Sequence, residues 1–133
     1  MACKTLLIGW LTVFLPEGAA APAVATRSHT DVLGIPGLIV REWSARVGGV
    51  DVRVWDGHPP YPGEPAEVLG RERIAVRGGA VEVLDRRSGT RSFAAAYPEQ
   101  AGGPGRSFLS LDAPLFPEGR EAIAAVLGAA CTE

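Results

Sequence analysis

Apolar and polar residues alternate on both sides of a glycine pair, Gly48-Gly49. A two-residue loop of this kind pairs the residues that flank it, and glycine supplies the positive φ that such loops need. The predicted cross-strand pairs are Val47 with Val50, Ala45 with Val52, and Trp43 with Val54. This register puts all six apolar side chains on one face, so the pattern predicts a β-hairpin with one buried face.

The same pattern recurs around a second glycine pair, Gly78-Gly79. A two-residue loop at these glycines predicts that Val76 lies opposite Val81 and that Ile74 lies opposite Val83. A second hairpin is therefore expected about thirty residues after the first.

A third turn, at residues 87–89, ends in a glycine and fits a three-residue hairpin loop. It would place Phe93 opposite Val83, Ala95 opposite Val81, and Arg91 opposite Asp85. The second hairpin would thereby extend into a three-stranded meander.

The C-terminal part predicts one more strand and one helix. Residues 108–111 form a short apolar stretch, and a helix is expected from Pro117 to about Ala130, with proline and glutamate in its first turn. An apolar stripe at helical spacing would cover the sheet; it consists of Ile123, Val126, Leu127 and Ala130. The predicted fold class is α+β: a small antiparallel β-sheet of about six strands, in hairpins and a meander, with one C-terminal helix packed on it.

The N-terminus has the three parts of a secretory signal peptide. Lys4 supplies positive charge, an apolar stretch runs from Leu6 to Leu15, and small residues precede the preferred cleavage site after Ala25. Cleavage after Ala23 is the second choice. The alternative is a buried N-terminal helix or strand of a cytosolic protein, but a core element rarely ends in Pro-Glu-Gly followed by an Ala/Pro tail.

This interpretation divides the chain into a signal peptide at 1–25, a flexible lead-in at 26–36 and a single small exported domain at 37–133. Cleavage would remove Cys3 and leave Cys131 without an internal disulfide partner. Packing of Cys131 under the terminal helix is the preferred interpretation. A bond between chains and a free thiol remain open.

Composition excludes some classes of function. The formal net charge of −2 lacks the basic excess that a nucleic-acid partner would require. The apolar stretch at 6–15 is about half of the roughly 20 residues that span a bilayer as a helix, so no transmembrane anchor is expected.

No catalytic or metal-ligating motif is present. The chain has only two histidines, His29 and His58, and neither lies in a zinc-ligand spacing. No serine lies in a nucleophile-elbow motif. No catalytic residue, metal or cofactor is expected; the alternative is a small periplasmic hydrolase or metal-dependent enzyme using His58 and nearby carboxylates.

One segment has more aromatic and proline residues than a scaffold requires. Residues 55–62 place Trp55, His58 and Tyr61 on a loop stiffened by prolines, and a stiff loop loses little entropy on binding. These three residues are the candidate binding site, although they could also fold over the sheet edge without a ligand. The expected function is that of a monomeric, non-catalytic exported binding or accessory protein, periplasmic or secreted, with a protein partner in the cell envelope. A structural envelope protein without a specific ligand is a further alternative.

Overall fold

A computed structural model describes residues 2–57, 66–96, 108–114 and 119–132. Within these ranges the chain forms nine strands and one α-helix: β1 (Cys3–Ile8), β2 (Leu11–Pro16), β3 (Ala25–His29), β4 (Val40–Val47), β5 (Val50–Trp55), β6 (Glu67–Val76), β7 (Gly79–Ser88), β8 (Arg91–Ala96), β9 (Phe108–Pro114) and α1 (Gly119–Val126). Seven strands make one antiparallel sheet in the order β3-β4-β5-β9-β8-β7-β6, and β1 pairs with β2 in a second sheet.

The α+β class is confirmed, with a mainly antiparallel sheet and one C-terminal helix. The six strands expected after residue 36 are β4 to β9. The three additional strands all come from the first 29 residues, which the sequence analysis assigned to a signal peptide and a lead-in.

The first hairpin has the predicted register. Val47 pairs with Val50, and Trp43 pairs with Val54. Val50, Val52 and Val54 are fully buried, because this face of the sheet lies against β2 and α1.

The second hairpin forms, but its predicted register is wrong. Ile74 lies opposite Val81 instead of Val83, and the loop is Arg77-Gly78. The backbone N–H of Arg77 donates to the carbonyl of Leu127 at 3.2 Å, which fixes the turn against the end of α1. The partners shift by two residues, so each side chain keeps its predicted face.

The meander also forms with a different register. Phe93 lies opposite Arg86, not Val83, and Asp85 lies opposite Ala94, not Arg91. The partner of Phe93 is three residues away from the predicted one, and a shift by an odd number of residues places Phe93 on the opposite face from Val83. The guanidinium of Arg91 is 4.4 Å from the centre of the Phe93 ring. Small alanines instead occupy the face under the helix, where Ala94 is fully buried.

The helix is shorter than expected and is tied to the sheet by one arginine. It ends at Val126, before Gly128 in the left-handed region, and Ala130 is exposed. Arg120 forms ion pairs with Glu72 on β6 and Asp85 on β7. The hydrogen bonds that Arg120 donates to the carboxylate of Asp85, and then to that of Glu72, raise the pKa of Arg120 above its ordinary value.

The N-terminal strands form a hairpin that belongs to the main core. Ile8 and Val13 are fully buried there beside Ile123 of the helix. The turn residue Gly9 has φ +61°, and a Cβ at this position would lie 2.6 Å from the ring of Trp43. The apolar segment assigned to a signal peptide is therefore a packed hairpin in the full chain.

A disulfide joins the two ends of the described chain. Cys3 at the start of β1 is bonded to Cys131, five residues after the end of α1. The expectation that Cys131 lacks an internal partner followed from cleavage after Ala25. That expectation does not hold in the full chain, because Cys3 is present and β1 carries it to the C-terminal turn. Cleavage itself stays a prediction.

The segment expected to be a flexible lead-in contains regular structure. Thr26 pairs with Trp43 as part of β3, and a 3-10 turn spans Val32–Gly34. No helix in the described ranges has the length and apolar character needed to cross a membrane.

Candidate functional site

The candidate binding residue Trp55 ends β5 beneath the connection between β3 and β4. Its residue surface is 4% exposed, and it shares a small buried cluster with Val32 and Val40. The Trp10 indole N–H also donates to the Trp55 carbonyl oxygen at 3.0 Å. The Trp55 ring is thus buried beneath the β3–β4 connection and supports it. The other two candidates, His58 and Tyr61, lie outside the described residues.

Four large aliphatic side chains project from the connection above this cluster. We call this surface the apolar corner; it consists of Leu33 (60% exposed), Ile35 (51%), Leu38 (37%) and Ile39 (59%). The other exposed large aliphatic residues in the described ranges are Leu7 on β1 and the neighbours Val68 and Leu69 on β6. A concentration of exposed apolar side chains is typical of an interaction surface, because its exposure to water is unfavourable unless a partner covers it.

The backbone of the corner is held in a defined conformation. Asp31 and Leu33 adopt left-handed φ values of 53° and 58°, which cost about 1–2 kcal/mol for a residue other than glycine. The Asp31 carboxylate accepts a hydrogen bond from the Gly37 N–H at 2.9 Å. The N–H of Val32 donates to the Leu38 carbonyl at 3.2 Å. These bonds hold the apolar side chains outward before any partner binds.

One imidazole–carboxylate contact and one ion pair lie at the base of the corner. His29 Nε2 is 2.8 Å from Glu42 Oε1, with both side chains less than one-fifth exposed. Asp56 accepts hydrogen bonds from the backbone N–H and the Nε of Arg41, each at 2.7 Å. The Asp56 carboxylate, which the enzyme alternative would place near His58, is therefore engaged by Arg41.

Across the described ranges, no group of three or more His, Cys, Asp or Glu residues is placed to hold a metal ion. The only carboxylate–imidazole contact that we find in these ranges is that of His29 with Glu42.

The apolar corner was not predicted from the sequence. The available signal was a run of aliphatic residues from Val32 to Val40, interrupted by Gly34, Pro36 and Gly37. Those three residues prevent a regular helix or strand with a buried face. Aliphatic residues in such a segment are either covered by another part of the fold or left exposed, and here most are exposed.

Comparison with protein-family models, with curated proteins and with solved structures finds no match to this chain.

Proposed function

We propose that this protein is a non-catalytic binding or accessory protein, and that the apolar corner is its contact surface for a protein partner. The observation that carries the proposal is the exposure of Leu33, Ile35 and Ile39, each at least half exposed, on a loop with a fixed backbone. Full burial of an exposed aliphatic side chain stabilises by about 1.5–3 kcal/mol, and a partner that covers the exposed half of each of these gains about half of that. A fixed loop also loses little conformational entropy on binding.

The residues predicted from sequence enter this proposal in two ways. Trp55 supports the corner from below, since its ring packs on Val32 and Val40. His58 and Tyr61 follow Trp55 in the chain and remain proposed binding residues. The partner proposed from the sequence is a protein of the cell envelope.

Export is part of the proposal because of the disulfide. Disulfides form and persist in oxidising compartments, such as the periplasm and the extracellular space, and are rare in the cytosol. The Cys3–Cys131 bond supports such a location. Cleavage after Ala25 is incompatible with this bond, since it would remove Cys3. The proposal therefore includes export and leaves out cleavage.

A pair of matched variants tests the contact surface. Ile35→Asp places a charge in the corner, and Leu69→Asp places one on a side chain of similar exposure on β6, since the two residues are 51% and 48% exposed. The immobilised wild-type chain would be used to isolate partners from an envelope extract. The retained protein would then be purified and titrated against each variant.

We expect the corner variant to weaken binding of the purified partner by at least about tenfold, which corresponds to 1.4 kcal/mol. The β6 variant should bind like the wild type. Equal binding by both variants, or no specifically retained protein, would contradict the proposal. Circular dichroism spectra of both variants show whether the fold is intact.

A further inference from the structure

We propose that the outer edge of β3 accepts an extended peptide segment of the partner as an additional strand, with an acidic residue of that segment facing Arg27. This inference rests on the proposed binding function and specifies the form in which the partner binds. An added strand gains main-chain hydrogen bonds from the edge and specificity from alternate side chains.

β3 is the first strand of the large sheet and is paired on one side only within the described ranges. Residues 25–28 are all exposed. Its pairing with β4 is regular from Ala25 to His29, without a bulge. The strand contains no proline, and Arg27 is its one arginine, lysine or acidic residue; prolines and several charged side chains are features that commonly protect an edge from added strands.

The opposite edge of the sheet shows what such protection looks like in this protein. β6 carries four charged residues, Glu67, Arg71, Glu72 and Arg73. Its pairing with β7 is irregular between Val68 and Gly70. Charges and irregularities of this kind hinder the pairing of an edge with another chain. The two edges thus differ, and β3 is the edge suited to receive a strand.

Arg27 gives the β3 edge its charge preference. It is exposed at the centre of the strand and forms no ion pair with any residue in the described ranges. Its cross-strand neighbour Glu42 instead contacts His29. Opposite charges on neighbouring strands attract and like charges repel, so an acidic side chain beside Arg27 is favoured.

The same arginine argues against a second copy of this chain as the added strand. Two β3 strands that pair antiparallel about a two-fold axis at their centre would place Arg27 opposite Arg27 of the other copy, which is unfavourable. The apolar corner begins a few residues beyond His29, at Leu33. A segment with an acidic residue beside Arg27 and aliphatic residues toward the His29 end therefore fits both features.

Two synthetic peptides test the inference. Each is a capped hexapeptide of alternating threonine and valine, with glutamate at a central position in one and lysine in the other. They would be titrated into the isotope-labelled full chain, with affinity and amide hydrogen exchange followed by NMR. We expect the glutamate peptide to bind about fivefold more tightly, from the gain of one cross-strand attraction and the loss of one repulsion, and to slow exchange at β3.

Charge-reversal variants provide the control. Arg27→Glu should reverse the preference between the peptides. Arg73→Glu should leave it unchanged, because Arg73 is exposed on the other edge and likewise forms no ion pair in the described ranges. Equal affinity of the wild type for both peptides, protection at β6 instead of β3, or no binding of either peptide would overturn the inference. The proposed function would still stand if Ile35→Asp weakened partner binding and Leu69→Asp did not. Failure of the β3 inference can therefore be distinguished from failure of the proposed function.

Discussion

Replacing Cys131 with serine is expected to remove a large share of the stability of this domain. The Cys3–Cys131 bond spans a sequence separation of 128 residues. In the chain-entropy description, closing a loop of this length stabilises the folded state by about 5 kcal/mol through its effect on the unfolded chain. Small domains have total unfolding free energies of roughly 5–15 kcal/mol, so the loss is a third or more of the total.

Equilibrium unfolding in urea, followed by tryptophan fluorescence, measures this loss. With a denaturant slope of about 2 kcal/mol/M, the midpoint should fall by about 2–3 M. Cys3→Ser and the double variant should show the same decrease, because each removes the same bond. Wild type kept in a dithiol reductant should behave likewise. An unchanged midpoint in Cys131→Ser, or two free thiols in the oxidised wild type, would refute the reasoning.

Three further substitutions and one control substitution test the packing. Ile8→Ala should lower the free energy of unfolding in urea by about 2–5 kcal/mol, because Ile8 is fully buried. Leu7→Ala is the control, since the Leu7 side chain is 64% exposed and its loss should change the urea midpoint little. Similar effects of the two substitutions would contradict the packing of the N-terminal hairpin. Arg120→Ala should cost about 1 kcal/mol, less in 1 M salt. Because the pKa of Arg120 is raised, its contribution to stability is present through neutral pH and is lost only at strongly alkaline pH. A difference in unfolding free energy between wild type and Arg120→Ala that changed between pH 6 and 9 would contradict this reasoning. Gly128→Ala should lower the free energy of unfolding by about 1–3 kcal/mol, since Gly128 has φ +89° and the added Cβ would lie 2.8 Å from the Cβ of Arg77. An unchanged thermal midpoint would contradict this, because it would mean that the turn relaxes without cost.

The hairpin predictions succeeded to the extent that local signals agreed. At Gly48-Gly49 the glycine pair and the alternation on both sides specify one register. At Gly78-Gly79 two registers keep the same faces, and contact of Arg77 with Leu127, far along the chain, selects between them. Such a contact leaves no signal in the sequence around the turn.

The meander shows a different limit. Placing Phe93 opposite Val83 was the natural prediction, since both are apolar. The fold instead puts small alanines beneath the helix and leaves Phe93 on the other face, in contact with arginine side chains. The space available under α1 decides this choice. That space is a tertiary property, because it depends on how closely the helix approaches the sheet.

The candidate site could be predicted only in part. The sequence identified Trp55 by its aromatic side chain and its position before a proline-rich loop. Its burial depends on Val32 and Val40, which come from a different connection. The exposed residues above it were not predicted as a binding surface, and Leu33 and Ile35 lie in the segment interpreted as a flexible lead-in. Aliphatic residues without a regular spacing can be recognised as exposed only when the residues that form the core are known.

The N-terminus offers the sharpest choice between the two interpretations. A run of apolar residues after a lysine fits a signal peptide, and the same run, divided by Gly9, fits two short strands. In the full chain the segment is a buried element, since Ile8 and Val13 are fully buried and Cys3 is bonded to Cys131. Intact mass of the protein, produced with export in a bacterial host, separates the outcomes. A product that retains residues 1–25, with a mass lower by two hydrogens than that of the reduced chain, would establish the disulfide-bonded N-terminal hairpin. A product that begins at Thr26 with a free Cys131 would establish the signal peptide and require the domain to fold without β1 and β2.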